Sequence, residues 1–183
     1  MAGGARGNSA GIMAQMPALP CRDPLAGAPS PAAALTGTEA PGRALCAPEF
    51  ECTLRVYWED TDAGGVVFYA NYLKFFERAR TEWLRHLGVQ QQALRDTTGA
   101  IFVVAETQIS YHAPARLDDE LRVTVALKAR GTASMTMAQQ AWRGATLLAQ
   151  GQIRIGCVDA ATFRPRRMPA AVTEPLQSHA HRT

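Results

Sequence analysis

From Tyr69 onward, apolar residues return every three or four positions: Tyr72, Phe75, Phe76, Ala79, Trp83, Leu84 and Leu87. Lys74, Glu77, Arg78, Arg80, Glu82 and Arg85 lie mostly between them. This spacing predicts one long amphipathic helix, and Gly88 stands where a C′ glycine ends such a helix. Ahead of it, Phe50 to Trp58 mixes polar and apolar residues as a half-buried strand does. Behind it, the Gln90–Arg95 region predicts a short helical turn and Thr97-Thr98-Gly99 a loop. Ile101 to Tyr111 then reads as a strand. Its first part, Ile101 to Val104, is continuously apolar and predicted buried, while Thr107 to Tyr111 alternates. Pro114 closes this strand, because proline donates nothing to a ladder. Leu121 to Ala129, Ser134 to Arg143 and Leu147 to Val158 follow as strands, parted by turns at Arg130-Gly131-Thr132 and Gly144. Successive strands with short glycine-containing turns predict an antiparallel meander, and with one long helix the class is α+β.

Composition alters this picture at the two ends. Residues 1 to 48 hold seven of the eleven prolines and no aromatic residue, so they bury too little apolar surface to offset their ordering entropy and are expected to be disordered. Met13 and Met16 are alternative starts within this extension. Residues 49 to 169 form the expected domain, and residues 170 to 183 are expected to be a loose polar tail. The whole chain of 183 residues suffices for one domain with a sizeable core. A formal net charge of +3 gives no reason to expect a nucleic-acid partner. Cys21, Cys46, Cys52 and Cys157 show no paired spacing, so no metal site is expected and reduced cytoplasmic thiols fit them. No apolar run reaches the length needed to span a bilayer, and the N-terminus lacks the pattern of a secretory signal, so the expected location is the cytoplasm.

The candidate chemistry lies just before the helix. Glu59, Asp60 and Asp62 crowd three carboxylates into four positions, and Gly64 and Gly65 follow. A carboxylate held before a helix N-terminus faces free backbone N–H groups and the positive end of the helix dipole. Those donors can polarise a carbonyl oxygen while the carboxylate attacks the carbonyl carbon or activates water. Acyl transfer needs both halves.

The run EDTDAGGVV, followed by YANYL, FFERAR and EWLR, closely resembles the Tol–Pal-associated acyl-CoA thioesterases of the 4-hydroxybenzoyl-CoA thioesterase type. YHAPARLDD, ARGTASMT and CVDAATFRPRR resemble later segments of the same family, and the resemblance covers roughly Glu51 to Pro169. It implies the hotdog fold, a long helix wrapped by an antiparallel sheet of about five strands. It further implies hydrolysis of acyl-CoA without a cofactor, dimers associating further into tetramers, and sites at the subunit interface. An association with the Tol–Pal envelope system is implied in the same sense, while acyl carrier protein is a candidate partner that enters with the binding-module alternative below.

Carried over residue by residue, the resemblance places the catalytic carboxylate at Asp62, as nucleophile or general base. An oxyanion-binding amide falls near Tyr69, where many relatives carry His. Trp58, at a position commonly Tyr, is a candidate lining of the acyl pocket or plain core. Gly65, with Gly64, sets backbone geometry near the thioester. Arg130 and Ser134, with Arg164, Arg166 and Arg167, are candidates for the coenzyme A phosphates by charge. Asn71 is a candidate for fixing the loop, and Glu77 on the helix is the second-choice carboxylate. Glu59 and Asp60 read as solvated loop acids, and His86 and His112 as structural. Two other functions stay open: a module that binds acyl-CoA or acyl carrier protein without turnover, and a hotdog dehydratase. The missing His at position 69 counts against the dehydratase.

Overall fold

A computed structural model describes residues 48–180. The expectation of disorder over residues 1 to 48 therefore falls, Pro48 apart, outside the described residues. The elements are β1 (Phe50–Arg55), a 3-10 turn (Trp58–Asp60), α1 (Asn71–His86), α2 (Gln91–Thr98), β2 (Ala100–Tyr111), β3 (Glu120–Arg130), β4 (Ser134–Arg143), β5 (Thr146–Asp159) and α3 (Ala170–Ala180). The five strands form one antiparallel sheet in the order β1-β3-β4-β5-β2. The predicted α+β class and its strand count are both found.

The apolar stripe of α1 packs into this sheet. Phe75, Phe76, Ala79 and Trp83 have no exposed surface and share one core with Leu121, Val123, Val125, Met135, Met137, Leu148 and Ile153. Alternation on β3 and β4 supplies the sheet's half of that core. Gly151 lets β2 and β5 approach under the helix: a Cβ there would sit 2.7 Å from the Gln108 carbonyl oxygen and 3.5 Å from the Phe76 ring.

Four expectations need correction. β1 ends at Arg55 instead of running to Trp58, because the Asp60 carboxylate accepts the Tyr57 N–H at 2.9 Å and closes a 3-10 turn. Thr97 and Thr98 belong to α2, their hydroxyls donating to the Ala93 and Leu94 carbonyls; Gly99, at φ 68°, is the cap. Val104 is 55% exposed, since β2 is an edge strand of the sheet. The segment after Pro169 is a helix in which Val172 and Leu176 join the core beside Met168. The Arg130 guanidinium donates to the Thr173 carbonyl at 3.0 Å, and the Met168 N–H donates to Thr132 at 3.0 Å, so both ends of this packing are tied to the β3–β4 turn.

Candidate active site

The loop from Thr61 to Val67 is a miniature hairpin. Thr61 and Val67 pair as an isolated bridge, the Asp62 N–H donates to Val66 at 3.0 Å, and the Gly65 N–H donates back to the Asp62 carbonyl at 3.0 Å. Gly65 has φ 69°, the left-handed conformation that follows a tight turn in a bulged hairpin. The Gly64 N–H donates to Asp62 Oδ1 at 2.8 Å, and a Cβ on residue 64 would stand 3.0 Å from that oxygen. The glycine pair thus shapes the loop around the Asp62 carboxylate. That carboxylate is exposed, and no cation pairs with it among the described residues.

The loop is tied to α1 from beneath. Asp60, 1% exposed, is a buried brace and not the solvated acid expected from its neighbours. Its carbonyl accepts the Phe68 N–H and the Asn71 Nδ2 donor, both at 2.9 Å. Asn71 is buried and also donates to Glu59 O at 3.4 Å. The loop-fixing role considered for Asn71 therefore has a geometry.

At the start of α1 the Asn71 N–H is taken by Phe68 O at 2.8 Å, while the Tyr69 and Ala70 amides meet no acceptor among the described residues. These are the free donors of a helix N-terminus. The Tyr111 hydroxyl donates to the Tyr69 carbonyl at 3.0 Å, joining the end of β2 to the start of the helix.

Tyr69, Tyr72 and Tyr111 with Val67, His112, Ala113 and Pro114 line an open recess of about 290 Å³. Ring contacts hold its wall: Tyr69 to Tyr111 at 6.3 Å and Tyr72 to Tyr111 at 5.7 Å between centroids. Tyr72 is buried and accepts the Ala115 N–H at 3.2 Å. Burial pushes the Tyr72 and Tyr111 phenols above their ordinary range, so both stay protonated at neutral pH. Sequence reasoning missed Tyr111 and His112 as members of this wall. The signal available was YHAP itself, a strand end stopped by proline, where side chains collect at the sheet's rim.

One chain does not gather all of the predicted site. Asp62, Gly65 and Tyr69 share the loop–helix unit. Trp58, on the 3-10 turn, is 79% exposed and neither lines the recess nor packs in the core. Arg130 and Ser134 stand at the far end of the sheet. β3 begins opposite Arg55 at Glu120 and reaches Arg130 about 33 Å later at the usual rise of a strand. There Arg130 lines a separate polar hollow with Thr132, Arg167 and Thr173. Arg166 is engaged with the Thr98 carbonyl at 2.6 Å and lies 3.6 Å from Asp159. Glu77 is on the exposed face of α1, away from the recess. No cluster of three or more acidic, His or Cys side chains suited to a metal ion occurs among the described residues.

A helix wrapped by a five-stranded antiparallel sheet, with a carboxylate loop and unbonded amides at the helix N-terminus, is a hotdog protein with the elements of an acyl-transfer site. Residues 56–176 match the thioesterase-like superfamily, and the chain belongs to that family. It is 43% identical over 124 residues to the acyl-CoA thioester hydrolase YbgC of Escherichia coli O6:H1, spanning 67% of this chain and 92% of that protein. With the acyl-CoA thioesterase YbgC of Haemophilus influenzae it shares 42% over 123 residues, 67% of this chain and 90% of the relative. Among solved structures, a probable thioesterase from Bartonella henselae superposes with a TM-score of 0.62 at 33% identity, covering 66% of this chain and 98% of that one.

Proposed function

We propose that this protein hydrolyses the thioester of acyl-CoA, releasing a free acid and coenzyme A. The observation that carries this reading is the exposed Asp62 carboxylate, oriented by the Gly64 amide, on a loop braced against the start of a helix whose Tyr69 and Ala70 amides are free. The thioester oxygen sits against those amides, which stabilise the negative charge it acquires as the carbonyl carbon becomes tetrahedral. Two routes fit. In one, Asp62 attacks the carbonyl carbon, the C–S bond breaks, and water cleaves the resulting mixed anhydride. In the other, Asp62 takes a proton from water as the water attacks, and the proton passes to the departing thiolate. Neither route requires a metal or redox cofactor. The relatives named as acyl-CoA thioesterases support the substrate class.

The chain works as a homo-oligomer in this reading. The edge strand β2 is twelve residues long and unpaired on its outer side. Exposed edges of this length favour pairing with another strand. Antiparallel pairing of β2 with its own copy turns the partner end for end. The partner's Arg130 and Ser134 end then lies toward the Asp62 end of the first chain, a route by which phosphate-binding side chains reach the site in trans. No helix among the described residues is long and apolar enough to cross a membrane. Cys52 and Cys157 are free thiols, which suits a reducing cytoplasm.

The test is thiol release from short-chain, long-chain and aromatic acyl-CoAs and from acyl carrier protein thioesters, comparing wild type with Asp62→Asn. Asparagine keeps an acceptor for the Gly64 amide but loses charge and nucleophilicity. A fall of about a hundredfold or more with folding intact is expected. Equal rates would remove Asp62 from the chemistry. Absence of release from every thioester, with binding retained, would leave a non-catalytic acyl-CoA module.

A further inference from the structure

The Tyr69 and Ala70 amides are both free to meet a carbonyl oxygen, but they are held in different ways. A trans peptide is planar, so its C=O and the following N–H point in opposite directions, and whatever grips the carbonyl aims the amide. The Tyr69 N–H shares its peptide with the Phe68 carbonyl, which accepts the Asn71 N–H at 2.8 Å. That bond is local and belongs to the turn that opens α1. The Ala70 N–H shares its peptide with the Tyr69 carbonyl, which lies just outside the helix. The first helical acceptor is Ala70 O, taken by the Leu73 N–H at 3.1 Å. No backbone donor reaches the Tyr69 carbonyl among the described residues. Its donor is the Tyr111 hydroxyl at 3.0 Å, from 42 positions along the chain.

Tyr111 is itself firmly placed. It is the last residue of β2, in register with Ala149, and the chain beyond it donates twice to the Leu148 carbonyl, from His112 at 2.8 Å and Ala113 at 3.2 Å. Its ring packs 5.7 Å from that of Tyr72, whose oxygen is held by the Ala115 N–H at 3.2 Å. Burial pushes the Tyr111 phenol up, so its proton is present to donate at neutral pH. Fold stability does not account for the bond: Tyr111 is 44% exposed, and water can serve the phenol and the carbonyl once they part. What the bond supplies is direction, and a donor chain through the peptide that strengthens the N–H at its far end.

We propose that Tyr111 is a positioning residue for hydrolysis, its hydroxyl fixing and polarising the Tyr69–Ala70 peptide so that the Ala70 N–H meets the thioester oxygen. The proposal rests on the hydrolase reading above and adds a β2 side chain to a site otherwise made of the Asp62 loop and the start of α1. The oxygen gains its negative charge only as the carbon becomes tetrahedral, so a misaimed amide costs turnover and leaves ground-state binding alone.

The test is Tyr111→Phe in the full chain, which keeps the ring and removes the hydroxyl. Thiol release, thermal melts and calorimetric affinities are measured. The ligands for calorimetry are a coenzyme A thioether carrying a trifluoromethyl ketone, whose hydrate imitates the tetrahedral state, and the matching thioether without the carbonyl. Loss of a whole oxyanion donor lowers kcat on the order of 100–1000-fold, and a donor still present but no longer aimed costs less. The expectation is a fall in kcat of about tenfold with KM unchanged, and a similar loss of affinity for the ketone alone. The melt should stay within about 2 °C of wild type. Wild-type kcat and wild-type ketone affinity in Tyr111→Phe would overturn the proposal and leave the hydrolase standing. A change confined to KM, an equal loss of affinity for the plain thioether, or a melt far below wild type also overturns it, because Tyr111 would then only shape the recess. A wild type that releases no thiol removes the hydrolase reading instead. The aiming of the Ala70 amide then survives if Tyr111→Phe loses the preference for ketone over thioether, and falls if that preference is kept or never existed.

Discussion

Substituting Asn71 separates the bracing of the Asp62 loop from its chemistry. Asn71 is 6% exposed and its Nδ2 donates to Asp60 O at 2.9 Å and to Glu59 O at 3.4 Å. In Asn71→Ala both donations vanish and a small void replaces the amide. Asp60 O keeps the Phe68 N–H at 2.9 Å, so it is not orphaned. The cost is therefore that of one good buried hydrogen bond with a minor void, about 1–2 kcal/mol. For a domain of this size that corresponds to a fall in Tm of about 4–8 °C. Asn71→Asp has nearly the same shape but turns an acceptor toward two carbonyl oxygens. An ionised carboxylate there loses the hydrogen bonds and adds repulsion and desolvation, so destabilisation exceeds that of alanine, at about 3 kcal/mol or more. The new carboxyl is favoured in its protonated form in the folded state. Its penalty is thus greatest at neutral pH and shrinks on acidification, when its O–H can donate to Asp60 O. Urea midpoints at pH 7 and pH 5 with thiol-release assays on both variants measure these effects. Activity is expected to fall about tenfold in Asn71→Ala, because the loop and the helix amides lose their mutual register. Two results would refute the reasoning: an alanine variant as stable and active as wild type, or an aspartate variant no worse than alanine at neutral pH.

Two further predictions concern stability. Burial pushes the Asp119 carboxyl up, but the Arg116 amide and the Arg143 guanidinium, 2.6 Å away, outweigh it and hold the group below its ordinary range. A depressed pKa contributes stability above the unfolded value of about 4 and loses it as pH falls through the folded value. Asp119→Asn should cost about 1 kcal/mol at pH 7 and progressively less below pH 4, read from urea midpoints across that range. Leu176→Ala on α3 should lower stability by about 2–3 kcal/mol by chemical denaturation, since Leu176 is 3% exposed in the shared core; a neutral result would mean that the helix is not part of the cooperative unit.

The sequence by itself determined the central helix, the number of strands and the β3-β4-β5 part of the predicted meander, and the loop in which Asp62 and its two glycines stand together; that β2 leaves the meander to pair with β5 at the far edge was decided by the fold. These depend on periodicity and on backbone demands that act between near neighbours: an apolar stripe at helical spacing, alternation in the strands, a positive φ at Gly65. The resemblance of EDTDAGGVV added the chemistry to expect there. Tertiary structure decided what depends on which surfaces meet. Asp60 and Asp62 are two identical acids one residue apart, and packing under Asn71 buries the first while the turn leaves the second open. Val104 reads as core by composition yet is exposed because β2 falls at the sheet's edge. Leu176 lies in a polar segment yet is buried because the β3–β4 turn offers α3 a place to dock. Arg80 sits among solvated charges in the sequence, and its burial beside Gln139 follows from the face of α1 that the sheet covers. Arg130 and Ser134 are separated from Asp62 for the same reason, because a strand runs its full length before turning and carries its two ends to opposite rims of the sheet.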